Sequence, residues 1–486
     1  MAAFRIACGL MVFLSVVSRF GDLAALYSDN GICPRIQTIT LSNVPEWWSV
    51  YMVSGTEQWA ILLFVLTAVF GLMLAAGCRT GFAAFMSWAM IISMQNRSPM
   101  VLDGQDIVLR VLLLFGMLLP WGQFYSVDRM LSSKPRLDAS KPYCDMTTVA
   151  ILVQSASILF VSALLKDDRA WRITGEASMY SLNVDFLTTH VGVWLTQFPQ
   201  LLREASFINL YWEAVGVLFL FSPFPTLRLF GVFGYWLTWF LVGITNRVDL
   251  LPYVCAIAYI PFIPGAAWNA LGAMVGKEEV FQSLRRRWAY VAAGAGGGSD
   301  ANSARNCTSG KAKLFVLEFA ASFFLVIATI WNANTIDKHV TVPDWVYRVA
   351  MTLRLDQNWF FWAHFIPQLN GWYVMPATLA NGKVVDVFRG GKPLDWSRPL
   401  EISADYPNRR WSIFLIAMFN DSYKAYRPYY VKYICSEWNK CHIPEERIMH
   451  LQVFYMYEGP LPEINLKDRV AQKVTVWEYS PDAQSE

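Results

Sequence analysis

Charge is what this sequence has least of. Lys, Arg, Asp and Glu make up 16% of its 486 residues. A soluble globular chain carries about a quarter, so most of this one is expected to lie in a membrane rather than in water. The formal net charge of +3 is too small for an electrostatic footprint on nucleic acid, and no nucleic-acid partner is expected. The five histidines (His190, His339, His364, His442 and His450) are scattered, and neither a CxxC nor an HExxH pattern occurs. Zinc and haem sites of the usual spacing are thereby excluded, and no metal is expected. No glycine-rich phosphate loop follows a strand pattern and no GxSxG is present, which leaves nucleotide-driven transport and serine hydrolysis without support. A secondary transporter is also disfavoured, because no internal repeat or Gly/Pro-broken pair of spans is evident.

Apolar runs, by contrast, are abundant: 55% of the chain is hydrophobic, with 21 Trp, 21 Tyr and 32 Phe. A bilayer-crossing helix needs about 20 apolar residues, and that ruler gives about nine candidate spans, centred near residues 15, 67, 88, 114, 156, 214, 236, 261 and 322. The first run, with Arg19 and Asp22 in it and no clear cleavage site after it, reads as a retained span rather than a removed signal peptide. Basic residues around 79, 129–141, 228 and 277–313 fall in alternate connections, which the positive-inside rule makes cytoplasmic. The loops holding Cys33, Asn96, Lys166 and Arg247 then face the lumen or exterior.

The expected fold is a multi-pass α-helical membrane bundle of about nine spans with a C-terminal outer or lumenal α+β domain. Residues 1–276 form the main transmembrane domain, 277–312 a Gly/Ala/Ser-rich cytoplasmic linker, 313–336 the last span and 337–486 the outer domain. Within that domain the runs at 384–388, 451–458 and 473–479 alternate as strands, and those at 409–419 and 423–433 read as helices. The sequons at Asn96 and Asn420 lie outside and are open to glycosylation in a eukaryote, whereas Asn306 falls on the wrong side. Three of the eight cysteines, Cys33, Cys435 and Cys441, are placed outside. A disulfide of Cys435 with Cys441, or of either with Cys33, is one reading, and three reduced thiols is the other.

Polar residues inside or at the ends of spans are expensive in lipid and therefore draw attention. Arg5, Arg19 and Asp22 belong to the first span and Glu318 to the last. Asp106 and Arg110, four apart on one helical face, are expected to satisfy each other as a structural pair. Lys166 ends an apolar run in FVSALLKDDRAWRITGEASMYS, residues 160–181. There it can either snorkel toward water or hold its amine in a dry cavity as a base.

Several blocks resemble the HTTM family, the membrane domain shared by vitamin K-dependent gamma-carboxylase and bacterial relatives. They are FRIACGL at 4–10 with SRF at 18–20 and YSDNGICPR at 27–35; Asp106-Ile-Val-Leu-Arg110 with LPWG at 119–122 and YSVD at 125–128; Lys166 five residues before Trp171, with Gly175 and Ala177 after it; and LPYV at 251–254 with Pro261-Phe262. The tail is also similar to that of bacterial members at LRLDQNWFFWAHF (353–365), NGWY (370–373) and NRRW (408–411).

The resemblance implies a gamma-glutamyl carboxylase-like enzyme in which Lys166 is the general base toward a reduced, vitamin K-like quinone. Trp171, Gly175 and Glu213 would shape the pocket, and oxygen and carbon dioxide would be co-substrates. Its partners would be the lipid bilayer and a secreted peptide or protein, in the endoplasmic reticulum membrane of a eukaryote or the cell membrane of a bacterium. Three departures weigh against the carboxylation step: Trp239-Phe240 stands where members often carry Phe-His, no histidine stands around Leu109 and Arg110 where the carboxylase has one, and the tail is short for propeptide recognition. The alternative is a non-enzymatic membrane factor for maturation, export or immunity of a secreted peptide.

Overall fold

The apolar runs fold as helices because they are long, free of internal proline and closed by polar caps. The computed structural model describes residues 1–42, 46–132, 145–275, 306–361, 370–458 and 470–479. The principal helices of the bundle are α1 (Ala2–Val17), α2 (Glu57–Ala76), α3 (Thr80–Arg97), α4 (Gly104–Gly116), α5 (Met146–Leu165), α6 (Pro199–Leu220), α7 (Pro225–Thr245), α8 (Leu251–Ala258) and α9 (Asn306–Ile336). Thr56 starts α2 by accepting from the Trp59 amide at 3.4 Å, and Gly77, left-handed at φ 71°, ends it. Asp145 starts α5 in the same way, accepting from the Thr148 amide at 2.9 Å. Prolines at the first position open α6, α7 and, one residue later, α8.

Among the described residues, five helices are long and apolar enough to cross a membrane: Ala2–Tyr27, Glu57–Ala76, Met146–Leu165, Pro225–Thr245 and Leu314–Ile336. The outer surfaces of the bundle helices agree with lipid. Leu62, Val65, Val69 and Leu72 of α2, and Ile208, Tyr211, Val215 and Leu218 of α6, form exposed apolar stripes at helical spacing. α4 is the opposite case, buried on nearly every side, and forms the centre of the bundle. α1 and α2 cross at Gly9 and Gly71, where a Cβ on Gly9 would lie 2.4 Å from the Ala75 amide nitrogen. Only small residues allow that approach.

The tail forms a small mixed domain. Strand β4 (Ile448–Tyr457) pairs antiparallel with β1 (Gly371–Val374) and then β2 (Pro376–Leu379) along one edge and with β5 (Gln472–Tyr479) along the other; β3 (Val384–Asp386) closes a hairpin with β2. The Asn381-Gly382 turn supplies the hairpin, with Gly382 at φ 80°. Helices α11 (Arg409–Phe419) and α12 (Arg427–Cys441) cover the sheet, with the Tyr373 hydroxyl donating to the Leu415 carbonyl at 2.6 Å. Between bundle and sheet lies the amphipathic α10 (Asp344–Leu353). Strands expected at 384–388, 451–458 and 473–479 are present, as is the helix at 409–419; β1 and β2 are additional. Most of the expected linker lies outside the described residues.

Two expectations are corrected. Cys33, Cys435 and Cys441 are all thiols, and no disulfide occurs among the described residues. Cys435 and Cys441 sit six residues apart on α12, a rise of about 9 Å, which exceeds the span a disulfide tolerates. Burial also pushes the Cys33 and Cys435 thiols up to about 12. Asn96 is the second correction: its side chain is buried, donating to the Trp48 carbonyl at 2.7 Å and accepting from Arg354, so no glycan can reach it. Asn420 is exposed.

Candidate functional site

Lys166 caps the end of α5, and its side chain turns back into the bundle. Nζ lies 2.7 Å and 2.6 Å from the two carboxylate oxygens of Glu213 on α6. Lys166 is 1% exposed and Glu213 3%. The snorkelling reading is therefore set aside: the amine is dry, but it is not alone. The Trp171 ring covers Nζ at 4.3 Å from its centroid, a cation–π distance. Trp171 reaches that position because the chain after Lys166 makes one π-type turn, Ala170–Thr174.

Asp168 accepts from the Trp171 amide at 3.0 Å and so opens the turn. Arg172 donates to the Lys166 carbonyl at 2.8 Å and satisfies the end of α5. Asn209, one turn before Glu213, donates to its Oε1 at 2.9 Å, and the Tyr235 hydroxyl donates to the Glu213 carbonyl at 3.2 Å. Gly175 stands in the left-handed region at φ 74°, and a Cβ there would lie 2.7 Å from Arg203 Cγ and 2.8 Å from Phe207. Its contribution is to let the turn close against α6.

Lys166, Trp171 and Glu213 thus come together, although Glu213 is 47 residues from Lys166 and nothing in the sequence joins the two. Arg5 serves the fold: its guanidinium donates to the carbonyls of Trp121 (2.8 Å), Phe124 (3.1 Å), Tyr125 (2.6 Å) and Ala75 (3.3 Å). The LPWG and YSVD segments are therefore tied to the first helix through main-chain oxygens. Asp128 completes that knot, accepting from the Arg79 and Thr80 amides at 2.7 Å each. The expected pairing of Asp106 with Arg110 is replaced. Asp106 binds Arg19, and Arg110 binds Asp356 at 3.1 Å. Long-range partners outcompete the local one because α4 is buried on both faces, and each charge must be met on the side to which it points.

A second cluster of buried charge, not assembled by sequence reasoning, joins bundle and tail. Both Asp22 oxygens are used: Asn408 donates at 3.1 Å and 2.9 Å, Arg410 at 2.9 Å and the Trp411 indole at 2.9 Å. Arg410 also reaches the Ser18 carbonyl and lies 3.5 Å from Asp249, whose carboxyl is held above the usual range by burial. Arg409 meets Asp103 at 3.2 Å. The NRRW segment is thereby the dock of the tail on the bundle.

Beside this dock is a cavity of about 540 Å³ between α7, α8 and the start of α11. Trp236, Phe240 and Tyr253 form its greasy wall, and Arg247, Asp249 and Arg409 line its polar end. Phe240 and Tyr253 are 60% and 64% exposed, which leaves the cavity open on its apolar side. Lys166 is not on its wall. Trp239 lines the cavity, while Tyr235 reaches the Glu213 carbonyl and stacks on Tyr259 at 4.7 Å and 3°. Matched against protein-family models, curated proteins and solved structures, the chain shows no match to any of them.

Proposed function

We propose that the chain is an integral membrane enzyme of the gamma-carboxylase-like kind, in which the Lys166–Glu213 pair accepts a proton from a lipid-borne hydroquinone. The supporting observation is the pair itself, dry, bidentate and covered by an aromatic ring. A buried ion pair contributes little net stability compared with apolar side chains of the same volume, so proton transfer accounts for it better than folding does. On this reading Thr80–Arg97, Gly104–Gly116, Pro199–Leu220 and Leu251–Phe262 join the five apolar helices to give nine crossings. The α+β domain then lies on the lumenal or extracellular side, where a secreted peptide would meet it.

The chemistry follows from counting protons. Ammonium with carboxylate, or amine with carboxylic acid, is the same neutral pair, and either form can take up one more proton. A hydroxyl beside Nζ gives up its proton to the pair, which ends as ammonium and carboxylic acid. The ammonium then holds the oxyanion left behind, and Trp171 keeps water from competing for it. Asn209 fixes Oε1 and so orients the carboxylate. A reduced quinone, when bound, supplies through its reaction with oxygen the base strength needed to remove a peptide γ proton, to which carbon dioxide adds. The residues suit such a group: a buried proton acceptor, an aromatic cover, and an amphipathic cavity open to lipid, from which a ring would still have to pass to reach Nζ.

The test supplies a hydroquinone and a glutamate peptide to the reconstituted protein and measures quinone epoxide and carboxylated peptide. Lys166→Ala is expected to lower both by about 100-fold or more. A Lys166→Met/Glu213→Leu double variant, which keeps the site filled, is expected to be equally inactive while folded. Equal product from wild type and variants overturns the reading. The non-enzymatic factor is favoured by one observation, that both carboxylate oxygens already occupy Nζ, and it predicts no turnover by any form of the protein.

A further inference from the structure

A second cavity, of about 510 Å³, opens where the end of α9 meets α10 and the centre of α4. Its wall carries three cations, Arg110, Lys338 and Arg354, against one carboxylate, Asp356, leaving an excess of two positive charges. Both guanidiniums lean on the same oxygen: Arg110 Nη2 is 3.1 Å and Arg354 Nε 3.0 Å from Asp356 Oδ1. Arg110 is 1% exposed, and its Nε is a buried donor without a hydrogen-bond partner among the described residues. Lys338 is exposed at the mouth and forms no ion pair with a described residue. Arg354 is the left-handed residue, at φ 55°, that ends α10.

The position of the cavity narrows the anion. α10 buries Val346 and Ala350 and exposes Trp345 and Tyr347 at 53% and 41%, the pattern of a helix lying in a membrane interface. α9 exposes Phe319 and Val326 to the surroundings on its way to the cavity, a greasy track one acyl chain can follow. A cation excess at headgroup depth beside an apolar track suits a ligand with an oxyanion at one end and hydrocarbon at the other.

We infer that this cavity binds the phosphate of an anionic membrane lipid, with Arg110 and Arg354 holding the oxyanion and Lys338 closing over it. The site is separate from Lys166 and stands whether or not the protein is an enzyme.

The experiment places the full chain in nanodiscs of equimolar phosphatidylglycerol and phosphatidylcholine and counts retained lipid by native mass spectrometry. Wild type is expected to keep phosphatidylglycerol preferentially. Lys338→Glu, a surface change that removes the charge excess, is expected to weaken that retention by about thirtyfold, while the reversal Lys383→Glu on the β2–β3 hairpin leaves it intact. No preference in wild type, or unchanged retention in Lys338→Glu, overturns the site. A second arm adds inorganic phosphate to protein in phosphatidylcholine alone and follows thermal stability. Protection equal to that given by phosphatidylglycerol would overturn the lipid assignment in favour of a soluble oxyanion.

Discussion

Two of the places where the molecule buries charge treat it differently. At the junction of bundle and tail, Asp22 accepts four hydrogen bonds from three residues, and its main partner Arg410 is shared with Ser18 and Asp249. Asp22 and Arg410 each serve several groups, and the set links the first apolar span to a segment nearly four hundred residues away. At Lys166 the charge is confined to one cation and one anion with a single amide support from Asn209 and a ring cover. A shared lattice is suited to holding parts in register. A self-contained pair with a movable proton is suited to reaction, because its charge can change without loosening anything else.

The largest effect is expected from breaking the lattice. Asp22→Ala removes the closer of the two carboxylates on buried Arg410, leaving Asp249 at 3.5 Å, and should cost about 3 kcal/mol, seen as a large drop in melting temperature in detergent and as protease cleavage between bundle and tail. If the variant melts with wild type, the lattice is not what holds the tail. Next comes the pair. Lys166→Ala strands the Glu213 carboxylate and should cost about 3 kcal/mol, whereas the Lys166→Met/Glu213→Leu double variant should return to within about 1 kcal/mol of wild type. Failure of that recovery would make the pair structural and erase the contrast between the two sites. The smallest effect tests a neutral member of the lattice: Asn408→Ala removes both the cap of α11 and two bonds to Asp22, for about 1–2 kcal/mol.

What could be read in advance followed the range of the interaction that decides it. Apolar runs, the Asn381-Gly382 turn and the alternation in β4 and β5 are local, and the helices and strands appear where those signals lie. Lys166 and Glu213 are each ionisable groups in apolar surroundings of the sequence, yet their mutual contact depends on how α5 and α6 pack. The same dependence misdirected Asp106 and Arg110. Spacing of four residues made a local pair the simplest expectation, but Arg19 and Asp356, 87 and 246 residues away, took the two charges. The strands β1 and β2 are four residues each and fully or nearly fully buried, so they show no alternation to detect. The choice between disulfide and thiols stayed open in the sequence for a simpler reason: six residues along a helix is a fixed distance, and the helix had to be known before the Cys435–Cys441 pairing could be dismissed.

Asp22 has a further consequence for how the protein is made. Its carboxylate is threaded into the bilayer region at the start of synthesis, while the donors that satisfy it, residues 408–411, emerge close to four hundred codons later. Until then the first helix carries a naked acid that lipid cannot solvate. Maturation of the nascent chain is therefore expected to finish from its two ends at once, with the insertion machinery or a chaperone sheltering the early helix until the late segment arrives, and truncated messages should yield a product that is degraded rather than a smaller working protein.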